Sequence, residues 1–457
     1  MNEASSATVA ESNTLSRSLR PRHVTMIAIG GIIGAGLFVG SSAAIAAAGP
    51  AILVTYALTG FLVLLVMRML GEMAVGMPEV RSFTEFARVG LGDWAGFSVG
   101  WLYWFFWVVV IPVEAIAGAV IIEDWIALPT WQIGVALMAI MTAVNLLSAR
   151  AYGEFEFWFS SIKVSAIIAF ILVAAAHVFG RLDGPAPGLS HLTAHGGFAP
   201  YGAMAALAAV TTVIFSMMGA EIVAIAAVES AEPARAVARM SSSVIVRILL
   251  FYVGSILMVL CIVPWTQVVP GQSPFTLALD SLNIPYASTI MSWIILTAVL
   301  SCLNSAFYVC SRVLFVLAGK GDAPRWLVRT NRRHVPSRSV MLASVAGFAG
   351  VIAAILSPSR VFAFLLNASG ALIVYIYLAI AVSQIRVRRQ ADREGRPQAL
   401  PMWLFPWLTY LAIAGMIAVL VAMAITPARA IEFWTSAVSV GVALAAYALL
   451  RRQRGAR

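Results

Sequence analysis

Residues 24–49 contain no charged side chain, and uncharged apolar runs of similar length recur to the end of the 457-residue chain. A helix of about 20 apolar residues crosses the hydrocarbon of a bilayer, where only helices and closed barrels satisfy their own backbone. A window of about 19 residues finds twelve spans, near 24–48, 51–71, 97–121, 131–148, 157–178, 203–228, 243–263, 287–318, 340–356, 361–383, 404–425 and 433–450. The stretch 287–318 exceeds a bilayer and must tilt or end outside it. The expected fold is an all-α polytopic membrane protein with twelve transmembrane helices. Hydrophobic residues make up 61% of the chain and charged residues 11%, with a mean hydropathy of +0.92, so no soluble domain is expected.

The net charge of +10 does not point to a nucleic-acid partner, because the charges sit in loops between apolar spans. Arg17, Arg20 and Arg22 precede the first span. Arg81, Arg88, Arg150, Arg235, Arg239, the basic residues from Lys320 to Arg338, those from Arg386 to Arg396, and Arg451, Arg452, Arg454 and Arg457 fall on the same side. Arg181, Arg360 and Arg429 fall on the other. The positive-inside rule makes both termini cytoplasmic, in agreement with an even number of spans. The basic excess describes topology, with some attraction to anionic lipid. Residues 1–16 are Ser/Ala-rich and polar, and the first apolar run is too long for a cleaved signal. Cys261, Cys302 and Cys310 lie in apolar segments and read as buried thiols. The five histidines fall at span ends or in loops, so no metal site is expected. Segment 72–96 is broken by Gly and Pro and reads either as an interfacial amphipathic stretch or as a plain loop.

The first span is weak where it should be strong. GGIIGAGLFVG, Gly30 to Gly40, carries five glycines, and glycine is among the poorest helix formers. If the spans hide a five-plus-five inverted repeat, span 6 should mirror span 1. Span 6 reads AVTTVIFSMMGAEIVAIAAVES and is interrupted at Ser216 and Gly219, with Glu221 just beyond. Matched interruptions in two halves point to a transporter binding site, where unwound turns free N–H groups for an anion and carbonyls for an ammonium. Close helix packing through small residues is the plainer alternative for span 1 alone.

Ionisable residues at membrane depth are costly and are candidates for function. Three stand out: Glu114 in span 3, just after Pro112, Lys163 in span 5 and Glu221 in span 6. Lys163 and Lys320 are the two lysines beside 28 arginines. A buried lysine can release its proton and an arginine cannot, so Lys163 suggests proton coupling. Glu154 and Glu156 open span 5 and read as interfacial, while Arg68 and Glu72, four apart, are expected to pair. In span 8, Ser301 and Ser305 share a face with Asn304 beside them, either as polar glue or as a cation site shared with span 1. The aromatic run Gly100 to Trp107 reads as bulk packing.

Together, RHVTMIAIGGIIGAGLFVGSS, MRMLGEMAVGMPE, GWLYWFFWVVVIPVEA, YGEFEFWFSSIKV, FSMMGAEIVAIAAVES, SCLNSAFYVCSR and MWLFPWLTY closely resemble bacterial amino-acid permeases of the amino acid–polyamine–organocation superfamily. Among these the GABA (4-aminobutyrate) permeases are nearest. The resemblance implies a LeuT-type fold, with a 5+5 inverted repeat plus two C-terminal helices, in the bacterial inner membrane. It implies that Ile33, Gly34, Ala35 and Gly36 hold a substrate carboxylate. Phe215, Ser216, Met217, Met218 and Gly219 would hold the amine, with Phe215 as an aromatic gate. Lys163 would replace a sodium ion, near Gly30, Gly31, Ser301 and Ser305. Relatives often carry a small residue where this chain has Arg81.

These readings divide the chain into a cytoplasmic tail (1–20), a transport core (21–383), a cytoplasmic loop (384–403), spans 11–12 (404–450) and a tail (451–457). The expected function is proton symport of GABA or a related ω-amino acid, bound as a zwitterion and lined by Glu114, with Lys163 and Glu221 coupling the proton. No cofactor beyond the proton gradient is expected. A proton-coupled α-amino-acid permease (proline, aromatic or other) and an exchanger are the nearest alternatives. An intramembrane enzyme would need a nucleophile–base pair or metal ligands at depth, and none is evident.

Overall fold

The computed structural model describes residues 33–80, 83–147, 149–181, 187–219, 247–331, 333 and 335–455, and the described residues hold helices and connections with no strand. Gly30, Gly31, Arg81 and Glu221 lie outside them. Among the described residues, eight helical runs are long and apolar enough to cross a membrane, and three shorter apolar helices, Gly202–Ser216, Leu249–Ile262 and Ser337–Ala353, accompany them. The chain is a multi-pass, all-helical membrane protein.

The first run opens with α1 (Ala35–Phe38) and α2 (Gly40–Ala48). A tight turn at Gly49–Ala51, with Pro50 at its start, separates α2 from α3 (Ile52–Gly76). The short α4 (Phe83–Leu91) turns segment 72–96 into a helix packed on its neighbours. Next come α5 (Asp93–Glu123), α6 (Thr130–Leu147) and α7 (Ala149–Val178). The described part of the sixth passage is α8 (Gly202–Ala208) and α9 (Val210–Ser216), joined through Ala209, whose backbone is right-handed helical. A π-helical turn (Arg247–Gly254) leads into α10 (Ser255–Ile262), and α11 (Pro274–Ser281) follows. The rest is α12 (Ala287–Gly319), α13 (Ser337–Ala353), α14 (Pro358–Arg393), α15 (Trp407–Ile425) and α16 (Ala430–Gly455).

α5 is the central post. It is buried on most faces and packs against α4, α6, α12, α13, α14 and α16. That explains its composition: a helix apolar all round belongs in the middle of a bundle.

Two expectations need correction here. Arg68 does not pair with Glu72. Its guanidinium donates to the Pro401 carbonyl, at 3.1 and 2.8 Å, and stacks over Trp403. Glu72 is instead held by Gln384 and Arg388 of α14. The second correction follows from the first. Residues 384–393, read as loop, continue α14, because Gln384 and Arg388 give the extra turns a buried carboxylate to bind.

The C-terminal pair reaches into the core. Arg429, between α15 and α16, is buried and donates to Thr212 of α9 and Asn367 of α14, each at 2.9 Å. Sequence had marked it only as a residue of the outer side.

Candidate functional site

Among the described residues, spans 1 and 6 each have a helix end where the glycines sit. Gly34, with φ −141° and ψ −149°, is not helical, and α1 begins only at Ala35. α9 stops at Ser216, and Met217 to Gly219 form a turn that ends with Gly219 at φ +97°. An L side chain resists that φ, so glycine is required at the turn. The two breaks meet. A Cβ on Gly36 would lie 2.7 Å from Ser216 Cα, and one on Gly34 would lie 2.8 Å from Glu114 Oε1 and 2.7 Å from Cys302 Cβ.

Glu114 follows Pro112 inside α5 and is almost wholly buried. The Ala35 N–H donates to both its oxygens, at 3.0 and 3.2 Å. A carboxylate therefore already sits on the freed N–H of the first broken turn, and it is the protein's own. The cleft at this point is lined by Gly36, Phe106, Trp107, Val110, Glu114, Phe215, Ser216, Met218 and Cys302, with a volume of about 20 Å³. That is room for about one water molecule. The Phe215 ring closes it against Phe106, with centroids 5.9 Å apart. Tyr377 donates to the Met218 sulfur at 3.3 Å.

A second cluster lies between α7 and α12. Lys163 is fully buried, and its ammonium donates to Ser301 Oγ at 2.9 Å. Ser301 in turn donates to Glu156 Oε2 at 2.6 Å, and Ser305 to the same oxygen at 3.4 Å. Lys163 Nζ stands 3.6 Å from Glu156 Oε1, which also accepts from Ser160 at 3.2 Å. Cys302, beside Ser301, touches the first cluster, and Glu114 and Lys163 are within electrostatic reach of each other.

Of the expected residues, Gly34, Ala35, Gly36, Glu114, Phe215, Ser216 and Met218 come together around the cleft, with Ile33, Met217 and Gly219 in the flanking turns. Lys163, Ser301 and Ser305 form the second cluster, without Asn304, which accepts from Asn145 of α6 at 2.8 Å. Glu156, read as interfacial, does not face solvent or lipid. It is fully buried against Lys163. The available signal was spacing, since residues seven apart share a helix face. Phe106 and Trp107 line the cleft, so the aromatic run is more than bulk packing. The Trp107 indole N–H is buried, with no hydrogen-bond partner among the described residues. The side chain of Glu154 lies outside the described residues.

The model of the family described as "Amino acid permease" matches residues 23–453. The chain is 45% identical over 444 residues to the "Gamma-aminobutyric acid permease" of Bacillus subtilis (strain 168), covering 96% of this chain and 94% of that protein. It is 50% identical over 428 residues to the "Probable GABA permease" of Pseudomonas aeruginosa, covering 93% and 90%. Among solved structures, the manganese transporter of Eremococcus coleocola superposes with a TM-score of 0.57 at 14% identity, covering 98% of this chain and 95% of that one. That likeness concerns the fold alone. Both sequence relatives are named as permeases and not as enzymes, and with the family model matched almost from end to end, this chain belongs to the amino acid permease family.

Proposed function

We propose that the chain imports GABA or a related ω-amino acid by proton symport across the bacterial inner membrane. In this reading twelve helices include a five-plus-five inverted repeat within residues 21–383, and spans 11–12 follow a cytoplasmic connection. Both termini are cytoplasmic. The substrate binds as a zwitterion where the broken spans 1 and 6 face spans 3, 8 and 10. Its carboxylate takes the freed N–H groups of Ile33 to Gly36, displacing Glu114 from the Ala35 N–H, and its ammonium takes the carbonyls released at Phe215 to Gly219. Lys163 carries the coupled proton, with Glu221 as a second candidate. No cofactor takes part.

The observation that carries this reading is the meeting of the two broken turns at Gly36 and Ser216, beside a carboxylate already bound by the Ala35 N–H. A bundle of intact helices would expose no backbone there. The names of the sequence relatives support the substrate class.

The test is uptake of labelled GABA into proteoliposomes under an inward pH gradient, with unlabelled β-alanine, proline and phenylalanine as competitors. Gradient-dependent accumulation blocked by β-alanine alone is the expected result. Accumulation blocked by proline or phenylalanine would move the substrate to the α-amino acids, and uptake unaffected by the gradient but driven by internal amino acid would make the protein an exchanger.

A further inference from the structure

We propose that Glu156 is the exit half of the proton-coupling site, taking the Lys163 proton through the Ser301 hydroxyl and releasing it toward the cytoplasm; this rests on the proton-symport reading above. Lys163 and Glu156 stand seven residues apart on α7, two turns along one face. Side chains on a helix lean toward its N-terminus. Lys163 therefore leans toward Glu156, and Glu156 leans toward the end of α7 that begins at Ala149, next to the basic Arg150. That is the cytoplasmic end in the orientation set by the arginines.

The hydrogen bonds already run in the right order. The ammonium donates to Ser301, and Ser301 donates to Glu156. A proton leaves Lys163 Nζ for Ser301 Oγ while the serine's own proton passes to Glu156 Oε2. The ammonium–carboxylate pair becomes an amine and a carboxylic acid. The transfer from lysine to glutamate itself leaves no net charge in the buried site, which makes that step accessible in a low-dielectric interior; the single negative charge that follows proton release lasts until the amine is reloaded. The acid then gives its proton to cytoplasmic water and returns to carboxylate. A proton from outside reloads the amine. One proton enters and one leaves per cycle.

Ser305 and Ser160 hold the two oxygens of Glu156 in place. Helices packed against α7 bring further titratable groups. α12 carries Cys302, which with Glu114 of α5 lies within electrostatic reach of Lys163. α10 carries Cys261, and the π-helical turn carries Tyr252, whose hydroxyl donates to the Ser216 carbonyl. Glu114 already holds the first broken turn. Glu156 is thus the carboxylate hydrogen-bonded through Ser301 to the lysine and set on the cytoplasmic side of it.

The experiment compares the parent protein with Glu156→Gln in proteoliposomes by two assays. One is GABA accumulation under a pH gradient, followed across external pH. The other is GABA exchange with substrate on both sides and no gradient, which needs no net proton movement. Glu156→Gln should keep exchange but lose about a hundredfold in gradient-driven accumulation, the low end of what positioned proton transfer supplies, and its uptake should no longer depend on pH. A merely structural role would depress both assays together, and that result would overturn the proposal. So would accumulation and pH dependence like the parent's. Absence of gradient-driven uptake in the parent would remove the symport reading, and the relay with it. If Glu156→Gln is not recovered in folded form, Ser301→Ala carries the test, because both charges remain and only the bridge is lost. Slow, gradient-insensitive uptake restored by Ser301→Thr is then expected, and parent-like uptake by Ser301→Ala would overturn the relay.

Discussion

Gly36 and Ser216 touch backbone to backbone: a Cβ added to Gly36 would lie 2.7 Å from Ser216 Cα and 2.8 Å from its Cβ. The obstacle is main chain, which cannot rotate away as a long side chain can. Gly36→Ala should therefore push the two broken spans apart and abolish uptake, while the protein still inserts and runs as one species in size-exclusion chromatography. Uptake near the parent level would mean that the contact is not part of the transport site.

Glu114 ties α5 to the first broken turn through the Ala35 N–H. Glu114→Gln keeps the shape and removes the charge. A hydrogen bond to a charged group is worth about 1.5–3 kcal/mol against about 1 kcal/mol for a neutral one, so the contact weakens by roughly 1 kcal/mol or more. Transport should fall about tenfold in kcat/KM, with each 1.4 kcal/mol giving a factor of ten. Initial-rate uptake over a range of GABA concentrations reads this directly.

Trp107 lines the cleft, and its buried N–H has no hydrogen-bond partner among the described residues. A buried donor without a partner costs about 1–3 kcal/mol, and a substrate oxygen that accepts from it recovers that cost on binding. Trp107→Phe removes the N–H and keeps an aromatic ring. KM should rise about five- to tenfold, and the thermal midpoint of the substrate-free protein should stay level or climb. A fall in midpoint with unchanged KM would assign the indole to packing alone.

Arg88 of α4 gathers Glu85, Asp93 and the buried Asp322 that follows α12. Partial burial works against its charge, and hydrogen bonding and attraction from these acids more than offset that, so its pKa is raised. A base whose folded pKa is raised gives its full stabilisation below its ordinary range, so the contribution is constant across physiological pH. Arg88→Ala leaves Asp322 without this partner and should lower stability by about 3 kcal/mol. Arg88→Lys should restore little of it, because one point charge does not replace a planar fork that reaches three acids. Unfolding midpoints in detergent, compared for the three proteins, check the order.

Much of this was legible in the sequence because lipid leaves the backbone so few choices. The apolar helices among the described residues lie where hydropathy put them, and the helix ends at Ala35 and Ser216 announced themselves as glycine inside apolar runs. Residues governed by a partner far along the chain were harder. Glu156 opens a span and so looked exposed at the interface, but its burial is set by how α7 packs on α12, which no local pattern records. Arg68 and Glu72 have the spacing of a helical ion pair, yet each is claimed by a chain segment more than 300 residues away. Trp107 sits in an aromatic run in which packing and site residues have the same composition. Only the direction each ring faces separates them.

Room for about one water molecule between Phe106 and Phe215 also decides what the protein does when idle. A standing column of water would let protons hop from one face of the membrane to the other and would short-circuit the cell's battery. The cleft breaks that column. Under the proton symport proposed above, the bilayer then stays electrically sealed at rest, and the stored gradient drains only when a substrate large enough to pry the rings apart travels with the charge.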